Sequence, residues 1–358
     1  MATLVAGKLA NARAHSGALT LDAARRAAGA RTSLVWVSTT LQNGQLRASA
    51  DRYAAAANPW DRVRNPLPPP IAHSFAAVAI DPEIRASMTP ILLGHASVQR
   101  AAHGQGAVLA VACGDLDGDG GLEIVTVSAE RIAVGKLTGG KFTPSRTTPW
   151  SVLNPRVPVP LREPVGSVSI DPNRITAAIT DRGSVVLDES LKPLQTLPGI
   201  AFGTACARAV PEASMLENLA PCDSKSSQKW PFSASRFDAF ASCEGSTRGG
   251  ADFRATAGRD PSGRLIINVG DRELPPIDGA GAQIALADLD LDGVPELAMS
   301  AGAGDDSITI VTLDDSGART RLKLAAPDGV RALATCPPEA RDAPALIAVV
   351  GAEVWVVR

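Results

Sequence analysis

The chain has 358 residues, 45% of them hydrophobic but only 4% aromatic, with 35 Lys/Arg against 37 Asp/Glu. A formal net charge of −2 exerts no overall pull toward nucleic acid or an anionic membrane. No run approaches the ~18 apolar residues of a membrane-spanning helix. The length suits two ordinary domains, or one large all-β domain with a small companion. Charge supports a division, since the first 100 residues hold 11 Lys/Arg against 5 Asp/Glu and the rest 24 against 32.

In chain order, Thr20 ahead of LDAARRAAG reads as a hydroxyl N-cap, a short helix and a closing Gly29. Thr32–Thr40 is rich in β-branched residues and Gln45–Tyr53 alternates, with the hairpin dipeptide Asn43-Gly44 between them. NPLPPP, ending at Pro70, cannot continue a helix or a central strand and reads as a stiff connector. AHSFAAVAI is a third strand, and Asp81-Pro82 starts a short helix through Ser87. Residues 1–90 are therefore expected to form a small α+β domain.

Beyond residue 91 the chain repeats. VLAVACGD, GSVSID, FGTACA, FDAFASCE, QIALAD and VRALATCP each read as a strand of small and apolar residues running into a polar loop. Four continue into a second strand: LEIVTVS, RITAAIT, PELAMS and PALIAVVG. Periods of ~40–50 residues with several strands each indicate a β-propeller over 91–358. Six blades are expected; a seventh has room only if 129–165 or 207–236 holds an extra unit. The last unit is short, and ILLGHASVQ at 91–99 is the natural segment to complete it. Cys113, Cys206, Cys243 and Cys336 fall at one repeat position, expected to be a small buried side chain on a first strand. Cys222 lies in a polar insertion, and in an oxidising compartment either Cys206 or Cys243 is a candidate partner.

Two loops carry chemistry. GDLDGDGGLEIVTV supplies Asp115, Asp117, Asp119 and Glu123 at positions 1, 3, 5 and 9, and ADLDLDGVPELAMS supplies Asp288, Asp290, Asp292 and Glu296 at the same spacing. Alternate carboxylates in a tight loop repel unless a cation joins them. Ca²⁺ takes ~6–8 oxygens, mixing carboxylates with a backbone carbonyl, here expected from Gly121 and Val294. An EF-hand is excluded, because position 12 is Thr126 or Met299 and strands flank both loops. The pattern D-x-D-x-D-G-x-x-E before an apolar strand resembles the FG-GAP/VCBS repeats of integrin-like propellers. The resemblance covers about 105–358, with its motif in two of six units. It implies two structural Ca²⁺ ions, each held by side chains at positions 1, 3, 5 and 9.

All four histidines (His15, His73, His95, His103) and the sole tyrosine, Tyr53, precede residue 104. The repeats beyond residue 103 thus have no imidazole or phenol for acid/base work, and no catalytic residue is assigned. Two functions remain. One is a non-catalytic binding or scaffold protein holding a protein or glycan on its loop face. The other is a polysaccharide-acting enzyme with a carboxylate site in the channel. No secretory signal is visible in the first 20 residues. Calcium loops of this kind nevertheless favour the periplasm or cell surface, with the true start upstream of Met1; a cytoplasmic location stays open.

Overall fold

The computed structural model describes residues 20–28, 32–42, 45–55, 60, 69–79, 93–119, 121–155, 164–210, 215–222, 236–247, 251–302, 304–337 and 344–358. They fall in two compact units, Met1–Ile80 and Asp81–Arg358. The first unit holds α1 (Leu21–Ala28) and an antiparallel sheet of β1 (Leu34–Gln42), β2 (Gln45–Tyr53) and β3 (Ala72–Ala79), in that order. Thr20 caps α1, its Oγ1 accepting the Ala23 N–H at 3.3 Å. The hairpin register sets Leu34 opposite Tyr53 and Gln42 opposite Gln45. The Asn43-Gly44 turn, most of the proline run and the helix expected over 81–87 lie outside the described residues.

The second unit opens with β4 (Val98–Ala102) and then runs through antiparallel four-stranded meanders. Unit I is β5 (Val108–Gly114), β6 (Glu123–Ser128), β7 (Arg131–Thr138) and β8 (Lys141–Pro149). Unit II is β9 (Gly166–Asp171), β10 (Arg174–Ile179), β11 (Gly183–Asp188) and β12 (Pro193–Leu197). Unit III is β13 (Ile200–Phe202), β14 (Ala205–Val210), β15 (Met215–Pro221) and β16 (Arg236–Phe237). Unit IV is β17 (Ala239–Ser246), β18 (Asp252–Arg259), β19 (Leu265–Val269) and β20 (Arg272–Ile277). Unit V is β21 (Ala280–Ala287), β22 (Glu296–Ala301), β23 (Ser307–Asp314) and β24 (Gly317–Ala325). Unit VI is β25 (Val330–Cys336), β26 (Ala345–Val350) and β27 (Glu353–Val357), and its fourth strand is β4, with Val98 opposite Val357 and Ala102 opposite Glu353. The segment that completes this sheet is therefore Val98–Ala102; upstream of it Leu93–His95 form a single 3-10 turn.

The core lies between successive sheets, as expected of a propeller-like, mainly β fold in which no sheet can bury both faces alone. One apolar cluster joins unit I to unit II around Val125, Trp150, Ile175 and Leu187. Another joins unit VI to unit I around Ile347, Val349, Val111 and Ile124. The second strands β6 and β26 are buried along their whole length, which accounts for their unbroken apolar runs. First strands of neighbouring units touch: β5 with β9, β17 with β21, β21 with β25, and β25 with β5. Their Ala/Gly/Ser-rich sequences answer to this crowding. A Cβ on Gly166 would stand 2.8 Å from Leu109 Cβ, inside van der Waals contact.

Two sequence expectations need correction, and a pairing left open is decided. FGTACA is not one strand: Phe202 pairs with Ala205 across a two-residue turn in which Gly203 takes φ +60°. That turn moves Cys206 to the second strand of its unit, away from the shared repeat position. Cys113 and Cys336 are not merely packed hydrophobes. They occupy neighbouring first strands and form a disulfide, Cα–Cα 5.1 Å, across 223 residues of sequence. Cys206 takes Cys222 as its partner, Cα–Cα 4.8 Å, and Cys243 is free.

Candidate metal centre

The two acidic loops link the first and second strands of units I and V. In each, carboxylate oxygens from three residues come within 4.8 Å of one another: Asp115, Asp117 and Glu123 in one, Asp288, Asp290 and Glu296 in the other. Both glutamates begin a buried second strand, at 1% and 0% exposure, so their carboxylates face the loop rather than water. The loops fold alike. Leu116 N–H donates to Glu123 Oε2 at 2.9 Å, and Leu289 N–H donates to Glu296 Oε2 at 2.8 Å. Asp119 N–H donates to Asp117 Oδ1 and Asp292 N–H to Asp290 Oδ1, each at 3.2 Å.

The third aspartates stand apart from these triads. Asp119 Oδ1 accepts the Gly121 N–H at 2.7 Å, and Asp292 Oδ1 accepts the Val294 N–H at 2.8 Å. Gly121 and Val294, whose carbonyls the sequence assigned to the ion, thus lie beside their aspartates and meet them through their N–H groups. In the second loop Asp288 also accepts from the backbone, taking Asp292 N–H and Gly293 N–H at 3.0 Å each.

The loops differ in electrostatics. Burial, reinforced by the Asp292 charge, raises the Asp290 carboxyl to about 6. Burial, reinforced by Asp290, raises Glu296 to about 8. In the first loop the Gly121 N–H holds Asp119 below the ordinary carboxylate range. Lys136 is raised, first by its hydrogen bond to Glu123. A converging, oxygen-only donor set with more negative charge than its surroundings satisfy fits a hard divalent cation such as Ca²⁺. Asp115, Asp117 and Glu123, or Asp288, Asp290 and Glu296, would hold it.

The first strands also enclose a channel of about 930 Å³. Asp115 and Asp288 line it just beyond their first strands, Asp171 at the end of its own, and Glu244 two residues before the end of β17. Cys243 lines it too, its thiol pushed by burial up to about 12, an inert protonated group at neutral pH. Sequence reasoning missed two basic residues at the loops. Lys136 Nζ lies 2.7 Å from Glu123 Oε1, and an Arg321 terminal nitrogen lies 3.2 Å from Asp290 Oδ2. Their strands, RIAVGKLT and GARTRLKLA, carry other cations as well, so nothing in the sequence singled these two out.

No helix among the described residues is long and apolar enough to cross a membrane. No family model matches the chain, and no curated protein matches it. Among solved structures it is similar to "Structure of U3-55K", with 11% identity over 73% of this chain and 98% of that chain, at a TM-score of 0.44. It is similar also to "Crystal structure of BBS1N in complex with ARL6DN, soaked with mercury", with 11% identity over 70% of this chain and 91% of that chain, at a TM-score of 0.37.

Proposed function

We propose that Asp81–Arg358 is a six-bladed, calcium-stabilised propeller of the FG-GAP/VCBS kind, following a small α+β module. It serves as a non-catalytic binding or scaffold protein, holding a protein or glycan at the acidic mouth of its channel. The observation that carries this reading is the position of the two loops. Asp115 and Asp288 belong both to the carboxylate triads and to the channel wall. An ion at each loop would therefore fix the chain ends that frame the opening. The lining also carries Arg331 and Asp238, the latter ion-paired with Arg259 at 2.5 Å; most of the rest are aliphatic, aromatic, amide and hydroxyl side chains such as Leu109, Phe240, Ser167, Gln283 and Thr335, suited to contact rather than to proton transfer. Two disulfides favour an oxidising compartment, the periplasm or cell surface, where calcium is also plentiful.

The test is retention of envelope proteins and of a glycan panel on the immobilised full chain. Asp171→Lys and Glu244→Lys alter the mouth outside the metal loops, and should abolish retention of a specific ligand while the melting temperature holds. New reducing ends from a polysaccharide, lost on replacing one channel carboxylate, would establish the enzyme reading instead.

A further inference from the structure

Both acidic loops already hold a positive charge, and the two copies obtain it from different strands. In unit I the residue one step beyond the Ile124–Gly135 pair is Lys136, on the third strand. Its ammonium lies 2.7 Å from Glu123 Oε1 and 3.5 Å from Asp119 Oδ2. In unit V the residue facing Glu296 on the third strand is Thr312. Its hydroxyl donates to Glu296 Oε1 at 3.0 Å but brings no charge. The charge comes instead from the fourth strand. Arg321 is the extra residue of a bulge, since Ile310 pairs with Leu322 and Val311 with Thr320. Its guanidinium reaches Asp290 Oδ2 at 3.2 Å and Thr312 Oγ1 at 3.2 Å. Unit I has the same bulge, and there the extra residue is Ser145, which donates to the Val134 carbonyl. The basic residue has changed strand between the copies and meets a different carboxylate, Glu123 at position 9 in one loop and Asp290 at position 3 in the other, yet each places one positive charge on the carboxylate triad of its loop.

We propose that Lys136 and Arg321 are built-in counter-ions. Each holds its loop closed without metal and is the group an incoming divalent cation displaces, so two residues that ligate nothing set the metal affinity. The inference rests on the calcium reading above. A calcium ion sits ~2.3–2.6 Å from its oxygens, so it and an ammonium on the same Glu123 oxygen would repel at close range. Lys136 has somewhere to go, with its side chain 48% exposed. Arg321 is 24% exposed and tied to Thr312, so its loop should resist displacement more. Leaving Glu123 or Asp290 buried beside no cation at all is the costly alternative, which is why a metal-free loop needs the side chain.

The experiment is calcium titration by calorimetry, with thermal melts in EGTA, on the full chain. It compares wild type with Lys136→Met and Arg321→Met. Each variant should melt below wild type in EGTA, bind calcium about tenfold tighter at one loop, and recover wild-type stability in saturating calcium. Calcium binding by wild type with no gain in affinity in Lys136→Met overturns the displacement while leaving the metal reading standing. No binding heat and no calcium-dependent melt in any of the three proteins overturns both. Should Lys136→Met not fold, Lys136→Gln keeps a donor without charge and carries the same expectation.

Discussion

Removing the Cys113–Cys336 disulfide should destabilise the second unit more than removing Cys206–Cys222. The first bond spans 223 residues and the second 16. If cross-links act by restricting the unfolded chain, loop-closure entropy assigns about 5 kcal/mol to the long bridge and about 3 kcal/mol to the short one. At ~2.1 cal/mol/K per residue, over the roughly 280 residues of Asp81–Arg358, the long bridge corresponds to a fall in melting temperature of ~9 °C. The bridge also ties unit VI to unit I, which β4 and the shared apolar cluster already join. Its removal should therefore lower stability without unwinding the fold. The assay is differential scanning calorimetry on Cys113→Ser/Cys336→Ser and on Cys206→Ser/Cys222→Ser, with far-UV circular dichroism to confirm the strand content. Equal shifts, or a larger one for the short bridge, would refute the loop-length reasoning and point to local packing as the source of both contributions.

The metal claim predicts a rise in melting temperature with calcium over EGTA, absent in Asp115→Asn/Asp288→Asn; the same rise in that double variant counts against the loops. Without metal, folded Glu296 keeps its proton to about pH 8, whereas an ordinary glutamate releases it near 4.5. The folded state then binds the extra proton, so stability falls as pH climbs from 4.5 to 8 and levels off above, a loss on the order of 3–5 kcal/mol. Urea melts in EGTA should show this slope, while calcium or Glu296→Gln should flatten it; an unchanged slope in Glu296→Gln assigns it elsewhere. Gly166→Ala should cost about 1–3 kcal/mol, because its Cβ would press on Leu109 Cβ at 2.8 Å, and a neutral result in chemical denaturation would mean the first strands have slack. Trp150, fully buried with its Nε1–H on the Ser128 carbonyl at 3.0 Å, should cost about 3–5 kcal/mol as Trp150→Ala.

What was legible in the sequence was local and periodic. Positions 1, 3 and 9 of each loop converge, because a tight turn leaves alternate side chains few directions to take, while Asp119 and Asp292 at position 5 turn to backbone N–H groups instead. Second strands such as RITAAI were legible because burial on both faces selects an almost unbroken run of small and apolar residues. Contacts that depend on ring closure were not. Cys113 and Cys336 become neighbours only once the sixth sheet has come round to the first. Cys206 was misplaced because Gly203-Thr204, inside an otherwise alternating run, reads as strand until the turn is seen. Lys136 hid inside RIAVGKLT, where one lysine looks like a solvated strand position. Arg321 was less visible still, since no pattern marks which residue of GARTRLKLA a bulge will turn toward a loop two strands away.

Because β4 completes the sheet begun by β25, the protein cannot finish folding in the order in which it is made. Val98–Ala102 leaves the ribosome early and must wait for Glu353–Val357, roughly 250 residues later. At ~5–20 residues per second that is a delay of about 13–50 s. For that time a bare edge strand is offered to any other nascent chain. The strand is short, and Arg100 interrupts it with a charge that later stacks 4.3 Å over Trp355. One side chain would then guard the segment while it waits and dock it when its partner arrives.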